Sequence, residues 1–218
     1  MNQQVSPAQQ NAYGRAMLLQ TGISMVKRLQ PASSTWGGSI RVPLLRMGIM
    51  TGVLLQIAAD AAKSLLAPYN VAKGITYTDF AGVNRTKTTG WQLWAAQSFK
   101  QGDLTGVIGA ATSGQAYDYD TDITNVPTAV GDANVTFSIY VPMAYDPASD
   151  LTGAVLTQTN VGEHFITVDL PSGPTGADPY TFPYTAGATA NGNITVQAFQ
   201  YYIQPQAMDA SMLPIMDL

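Results

Sequence analysis

The stretch SIYVPMAYDPASDLTGAVLTQT, residues 138–159, decides the fold because it joins a strand pattern to a corner and then to a second apolar run. The strand pattern starts a few residues earlier, where apolar side chains alternate with polar ones at Val135, Phe137, Ile139 and Val141. A period of two is typical of a β-strand that buries one face. The stretch therefore predicts a half-buried strand that ends close to residue 145.

The corner that follows this strand is marked by prolines. Pro142 cannot donate a hydrogen bond to a neighbouring strand, and Asp146-Pro147 favours a turn. We expect Tyr145 and Leu151 to be buried where the strand turns. The structural residues assigned to this corner are Pro142, Tyr145, Leu151 and Gly153.

The corner run VPMAYDPASDLTGAVL resembles VPLAY…DLTGAVL in the N-terminal jelly roll of tectivirus major capsid proteins, the shell proteins of icosahedral phages with an internal membrane. Other tracts resemble the same family in the same order along the chain. They are SPAQQ at 6–10, TDF at 78–80, TGWQL at 89–93, KQG at 100–102 and LPIMDL at 213–218. The resemblance implies an all-β antiparallel jelly-roll sandwich of the viral capsid type. In the family the last tract leads into a second jelly roll, so we expect either a single-domain relative or part of a longer product.

The composition is consistent with a sandwich that other subunits cover. A chain of 218 residues can bury about 70% of its unfolded surface in one sandwich or barrel. Charged residues make up 11% of the chain, against a usual value of about 25%. The absence of Cys excludes disulfides and thiolate metal sites. Without a long apolar run or a secretory signal, the chain is predicted to be neither exported nor membrane-spanning.

The charged residues divide the chain into a basic and an acidic part. Residues 1–100 contain all ten Lys and Arg but only two acids, Asp60 and Asp79, whereas residues 101–218 contain the other twelve acids. This polarity predicts two faces with different partners. Pairing of basic and acidic faces between subunits is the alternative. The basic residues of the first 46 positions are not clustered as in nucleic-acid-binding arms, so we predict no specific nucleic-acid partner.

Residues 6–29 are predicted to form an amphipathic helix. Ser6 is a good N-cap, Pro7 suits the first helical position, and Gln9 completes a capping box. Apolar residues then recur at spacings of three and four at Ala12, Ala16, Leu19, Ile23 and Val26. Residues 30–43, rich in Pro, Ser and Gly, read as a linker.

Two roles are open for this helix. It could pack on its own domain or on a neighbouring subunit. The resemblance implies instead an arm on the inner capsid surface, where each basic residue would add about 1 kcal/mol of attraction to anionic lipid. The residues assigned to this membrane-proximal or assembly arm are Arg15, Leu19, Ile23, Val26, Lys27 and Arg28.

The predicted domains are a helical arm with its linker at 1–45, a jelly roll at 46–205, and a tail at 206–218 that could lead to a second jelly roll. Turn residues separate the predicted strands, which lie at 46–59, 75–80, 104–111, 135–145, 164–170 and 194–204. Residues 81–90 and 171–193 are predicted loops. Residues 91–100 fit either a strand or one helical turn. Antiparallel strands of these lengths indicate a sandwich.

Few residues have the pattern of a chemical site. His164, the single histidine, is predicted to have a structural role. Asp118, Asp120 and Asp122 have the opening spacing of a calcium loop, but Ile123 and Ala129 stand where an EF-hand requires Gly and Glu. We therefore predict no catalytic residue, cofactor or metal.

Two functions remain open. The first is a structural virion protein: a major capsid subunit, assembled in the host cytoplasm, that self-associates as a homotrimer, tiles an icosahedral shell and contacts the internal membrane and other capsid and vertex proteins. The second is a carbohydrate-binding jelly-roll module, in which Trp91, Trp94 and the acidic loop would form the site. A shell subunit uses both a basic arm and a charge-poor surface, so the sequence favours the first.

Overall fold

The computed structural model describes residues 21–60, 68–101, 134–148, 151–157, 161–171 and 193–204, together with Gly14. Its strands are β1 Ile23–Arg28, β2 Ala32–Thr35, β3 Ser39–Pro43, β4 Ile49–Asp60, β5 Gly74–Thr78, β6 Asn84–Thr88, β7 Asn134–Pro142, β8 Val155–Leu156, β9 Phe165–Asp169 and β10 Asn193–Gln204. The helix α1 spans Gly90–Gln101, and a 3-10 turn spans Pro68–Val71.

These strands form two antiparallel sheets. The first has the order β1-β10-β4-β7, with β2 also pairing with β10 and β8 with β4; the second has the order β3-β9-β5-β6. Strands β3, β4 and β5 follow one another in the chain but alternate between the two sheets. Except for β5 and β6, neighbouring strands of a sheet are therefore distant in sequence, as in a jelly roll. The predicted antiparallel jelly-roll sandwich is confirmed.

The core lies between the inner faces of the two sheets. In β4, Val53, Leu55 and Ile57 are buried, and the residues between them face outward or are less buried. In β7 the buried residues are Phe137 and Ile139, together with Val141. This alternation is the one read from the sequence, and each fully buried side chain of this size contributes about 1.5 to 3 kcal/mol. Residues from both sheets join in one apolar cluster.

The helix predicted for 6–29 is wrong over its last turns, because Ile23–Arg28 is the strand β1. All six residues pair with β10, from Ile23 opposite Gln204 to Arg28 opposite Phe199. Two β-branched residues three positions apart fit a helix face but also fit a strand. The long β10 provides the partner that decides between them. Gly14 and Thr21 are helical; the rest of 6–20 lies outside the described residues.

The linker predicted for 30–43 is also wrong. Ala32–Thr35 pairs with β10, and Ser39–Pro43 pairs with β9 in the other sheet. The Gly and Pro residues mark the turns between these strands rather than a flexible segment. Gly37, for example, has a φ of 79°, which favours glycine. Within the described residues the sandwich therefore begins at residue 23 and not at 46.

The other predicted strands and loops agree with the structure at some positions and not at others. Strands were correctly predicted near 49–60, 74–78, 134–142, 165–169 and 193–204. The predicted loop at 81–90 contains β6, and residues 91–100, which the sequence left open, are helical. The predicted strand at 104–111, the acidic loop at 118–122, most of the loop at 171–193 and the tail at 206–218 lie outside the described residues.

Candidate assembly surfaces

The strand β1 contains four of the six residues assigned to the arm. Ile23, Val26, Lys27 and Arg28 are all exposed, and Val26 retains 53% of its accessible surface. Arg15 and Leu19 lie outside the described residues. Among the described strands none pairs with the outer side of β1. An unpaired edge with exposed apolar residues is a place where another chain segment can bind.

Gln197 of β10 fixes the end of β1. Its side-chain amide donates to the Leu29 carbonyl at 2.6 Å, and its side-chain oxygen accepts from Arg28 Nε at 3.0 Å. The backbone of Leu29 also donates to the Ala198 carbonyl at 2.9 Å. The last turns of the predicted arm are thus bound to the sandwich rather than separate from it.

The corner after β7 differs from its prediction at one residue. Leu151 is completely buried, as expected, but Tyr145 is 76% exposed, so its predicted burial is wrong. The backbone amide of Tyr145 donates to the Thr152 carbonyl at 2.8 Å, which closes the corner while directing the side chain outward. Pro142 ends β7, as its missing N–H group predicts.

Gly153 gives this corner its sharp turn. Its φ of 84° lies in the left-handed region, and a Cβ atom there would collide with the Met143 carbonyl oxygen. A glycine is the residue that adopts this conformation at least cost. The tract DLTGAVL therefore contains both the buried anchor Leu151 and the glycine that allows the sharp turn.

The outer face of the six-stranded sheet has an aromatic surface that sequence reasoning missed. Tyr140 lies over Gly52, where a Cβ atom would overlap the tyrosine ring. The rings of Tyr140 and Tyr201 meet edge to face, with centroids 5.8 Å apart. Alternation along β7 and β10 could have placed both tyrosines on the outer face, but only the strand pairing brings them together.

Two grooves adjoin this aromatic pair. One has a volume of about 470 Å³ and lies beside β1; the other has a volume of about 490 Å³ and lies between α1 and the corner. Tyr140 and Pro147 line both grooves. The outer face of the other sheet is polar by contrast, with Arg41, Thr167, Thr76 and Lys87 in one row across β3, β9, β5 and β6.

Helix α1 begins with a reciprocal cap. The Thr89 hydroxyl accepts from the Gln92 backbone amide at 3.1 Å, and the Gln92 side-chain oxygen accepts from the Thr89 amide at 3.0 Å. This is a capping box of the T-x-x-Q type. Gly90 lets the helix start against the 3-10 turn, since a Cβ atom would collide with the Tyr69 carbonyl.

The two tryptophans of α1 have different environments. Trp94 is 5% exposed and stacks on Tyr69 with 5.0 Å between ring centroids, whereas Trp91 is 38% exposed and packs against Trp94. A stacking platform for a sugar needs exposed ring faces. Because Trp94 is a core residue, this pair gives the carbohydrate-binding alternative no support. Gln97 of the same helix donates to the Tyr140 carbonyl at 2.5 Å and so links α1 to β7.

Two ionisable groups are buried in structural roles. Burial alone would raise the pKa of Asp79, but hydrogen bonds from Arg85 and from the amides of Val83 and Ala81 hold that pKa below its usual value. Desolvation by burial lowers the pKa of His164, which stacks on Phe80 with centroids 4.2 Å apart. The tract TDF, residues 78–80, thus contributes the carboxylate and the ring that organise the loop after β5.

Within one subunit, one ion pair lies inside the basic half of the chain and another joins the basic half to the acidic half. Arg85 pairs with Asp79 at 2.6 Å, and Arg41 pairs with Glu163 at 2.9 Å. The second pair is exposed, and such pairs contribute at most about 1 kcal/mol. In the described parts of the chain, no three His, Asp or Glu side chains come together as a metal site requires. Within the same residues, no helix has both the length and the hydrophobicity needed to cross a bilayer.

A comparison with known sequences matches nearly the whole chain. Aligned over 255 residues, the chain is 24% identical to the major capsid protein P3 of Enterobacteria phage PRD1, an alignment that includes 99% of this chain. The chain is a homologue of this phage capsid protein. No protein-family model matches it.

The fold of this capsid-protein homologue recurs in solved virus structures. The STIV major capsid protein superposes with a TM-score of 0.54 at 15% identity, covering 90% of this chain and 56% of that one. The PBCV-1 virus capsid superposes with a TM-score of 0.53 at 12% identity, covering 85% and 43% respectively. These superpositions show a common jelly-roll fold, as the resemblance implied.

The chain covers only part of the length of each of these proteins. The capsid-protein homologue spans 63% of the PRD1 protein, about half of the STIV protein and less than half of the PBCV-1 protein. The described sandwich therefore corresponds to one part of those larger chains.

Proposed function

We propose that this chain is a major capsid protein subunit that assembles into the icosahedral shell of a phage, with a structural and not a catalytic role. The observation that carries the proposal is the homology to the PRD1 major capsid protein across 99% of the chain. The jelly-roll topology and the low charge content support it. In this role the chain resides in the virion after assembly in the host cytoplasm.

Self-association as homotrimers, and of trimers into a lattice with other capsid and vertex proteins, is part of this proposal. The exposed edge of β1 and the aromatic outer face of its sheet supply surfaces for it. Sedimentation velocity at micromolar concentration is expected to show trimers or larger species. A chain that stays monomeric under these conditions contradicts the shell role.

We also propose that the shell encloses a membrane and that the N-terminal part of the chain attracts it electrostatically. Support comes from Arg15, Lys27 and Arg28, with no acidic residue before Asp60. Flotation with vesicles of phosphatidylserine and phosphatidylcholine is expected to recover the chain at low salt and lose it as salt screens the charges.

Variants that remove basic side chains separate this electrostatic attraction from nonspecific binding to vesicles. Replacing Arg15 and Lys27 together by Gln should reduce flotation, whereas Lys87→Gln, on the opposite sheet, should not. Flotation that is absent, or equal for both variants, removes the membrane contact from the proposal.

A further inference from the structure

The two sheets have four edges, and three of these edges have features that hinder pairing with a further strand. At the edge of β7, Gln97 of α1 donates to the outward-pointing carbonyl of Tyr140. At the edge of β3, Pro43 lacks an N–H group. The strand β6 contains Arg85 and Lys87 and has an irregular register with β5. Covering elements, prolines, charged side chains and bulges are the means by which natural proteins keep sheet edges from pairing.

The fourth edge begins with β1, which has no proline, bulge or covering strand among the described residues. It pairs with β10 in an unbroken register from Ile23 to Arg28. Three of the eight large hydrophobic residues that the described part of the chain exposes lie in this strand; they are Ile23, Met25 and Val26. A regular edge strand with exposed apolar side chains is a template for the addition of another strand.

The register of β1 determines which of its backbone groups are available to another strand. The Leu29 amide donates to the carbonyl of Ala198, which lies opposite it when the register of β1 and β10 is continued by one residue. In an antiparallel ladder, alternate residues bond to the same neighbour. The odd-numbered residues of β1 therefore bond to β10. The even-numbered residues direct their N–H and C=O groups to the open side; they are Ser24, Val26 and Arg28.

The charges of β1 indicate the chemistry of a partner strand. Lys27 and Arg28 are both exposed and, as neighbours in a strand, lie on opposite faces of it. Arg28 Nε donates to Gln197, and no acidic side chain of the described ranges forms an ion pair with either cation. Opposite charges across a strand pair stabilise it, whereas like charges destabilise it. Two copies of β1 paired with each other would place four cations in one short ribbon, so an acidic partner fits better.

We propose that β1 accepts, on its open side, an antiparallel strand of a partner polypeptide that has acidic residues opposite Lys27 and Arg28. Opposite Met25 and Val26 this partner has apolar or β-branched residues. Main-chain bonds to the even-numbered residues of β1 give the affinity, and the side-chain pairs give the specificity. The proposal goes beyond the proposed function. In the shell such a partner would be another protein of the lattice, but the pairing is a property of the single subunit.

Fluorescence anisotropy of a labelled peptide, TEEVTVT, with the full chain tests the pairing. In antiparallel register its two Glu residues lie opposite Arg28 and Lys27, and its middle Val lies opposite Val26. Val26→Pro removes an N–H group from the open side and leaves the bonds to β10, whereas the control Val26→Thr keeps that N–H group. Val26→Pro should weaken binding about 10-fold, because a peptide carbonyl loses its donor, and Val26→Thr should not.

Two further peptides make the test independent of how well the Val26→Pro variant folds. TEEVTVT that is N-methylated at its middle Val should bind the unmodified chain about 10-fold more weakly, because the methyl group removes the donor to the Val26 carbonyl. TKKVTVT should also bind about 10-fold more weakly than TEEVTVT at low salt. The difference between these two sequences should shrink as salt screens the charges.

Other results overturn the proposal. Strand addition is contradicted if TEEVTVT does not bind at about 1 mM, or if neither Val26→Pro nor N-methylation weakens its binding. Equal binding of TKKVTVT contradicts an acidic partner. If Val26→Pro, but not Val26→Thr, dissociates oligomers of the chain in sedimentation, a second copy occupies the edge instead. If hydrogen exchange finds the Val26 amide protected in the isolated monomer, another part of the same chain already pairs there.

Discussion

Replacing Trp94 by alanine is expected to lower the free energy of unfolding by about 3 to 5 kcal/mol. The side chain is 5% exposed, belongs to the main apolar cluster, and stacks on Tyr69 at 5.0 Å. Its removal would leave a cavity between α1, the 3-10 turn and β7, and the sheet cannot collapse to fill it. Urea unfolding followed by circular dichroism measures the change.

Trp91 is the matched control for this substitution. It lies one turn away in the same helix, has the same side chain and is 38% exposed. Trp91→Ala should therefore cost clearly less, about 1 kcal/mol, because a residue on the surface loses fewer contacts. If the two variants unfold at the same urea concentration, α1 is not anchored to the core through Trp94.

Replacing Leu151 by alanine is expected to cost about 2 to 5 kcal/mol. Leu151 is completely buried in a second cluster with Ile49, Ala144, Ala154 and Ile203, which joins the corner to the ends of β4 and β10. Thermal melting measures the loss. Tyr145→Ala, at a side chain that is 76% exposed in the same corner, should change stability by no more than about 0.5 kcal/mol. An unchanged midpoint for Leu151→Ala would show that this cluster does not stabilise the corner.

The strands that the sequence predicted well have one face in the core. In β7, in β9 and at the start of β10 the buried residues alternate with partly exposed ones, as at Phe137 and Ile139, Ile166 and Val168, and Ile194 and Val196. One-sided burial leaves a period of two in the sequence. The corner after β7 was also predicted from local sequence, because Pro142 and Asp146-Pro147 favour a turn.

The elements that the sequence missed depend on partners distant in the chain. β1 is a strand because β10, about 175 residues later, pairs with it, and neither segment alone contains that information. The outward direction of Tyr145 follows from its amide bonding to Thr152 rather than from any periodicity. One signal was present but unused: Thr89 and Gln92 have the spacing of a capping box and predict the start of α1.

The aromatic surface on the outer face of the six-stranded sheet also depends on residues that are distant in the chain. Tyr140 and Tyr201 are 61 positions apart, and each is unremarkable in its own strand. They meet because β4 lies between β7 and β10 and has Gly52 at the row where the rings converge. Sheet order, which sequence periodicity does not encode, determines this surface.

An electron cryomicroscopy reconstruction of purified particles containing this chain tests the shell role most directly. We expect the two sheets, whose described strands lie between residues 23 and 204, to fit repeated density throughout the icosahedral shell. We also expect the outer face with Tyr140 and Tyr201 to be covered by neighbouring protein. A shell built from another polypeptide, with this chain absent from it or confined to a few sites, would contradict the assignment as the major capsid subunit.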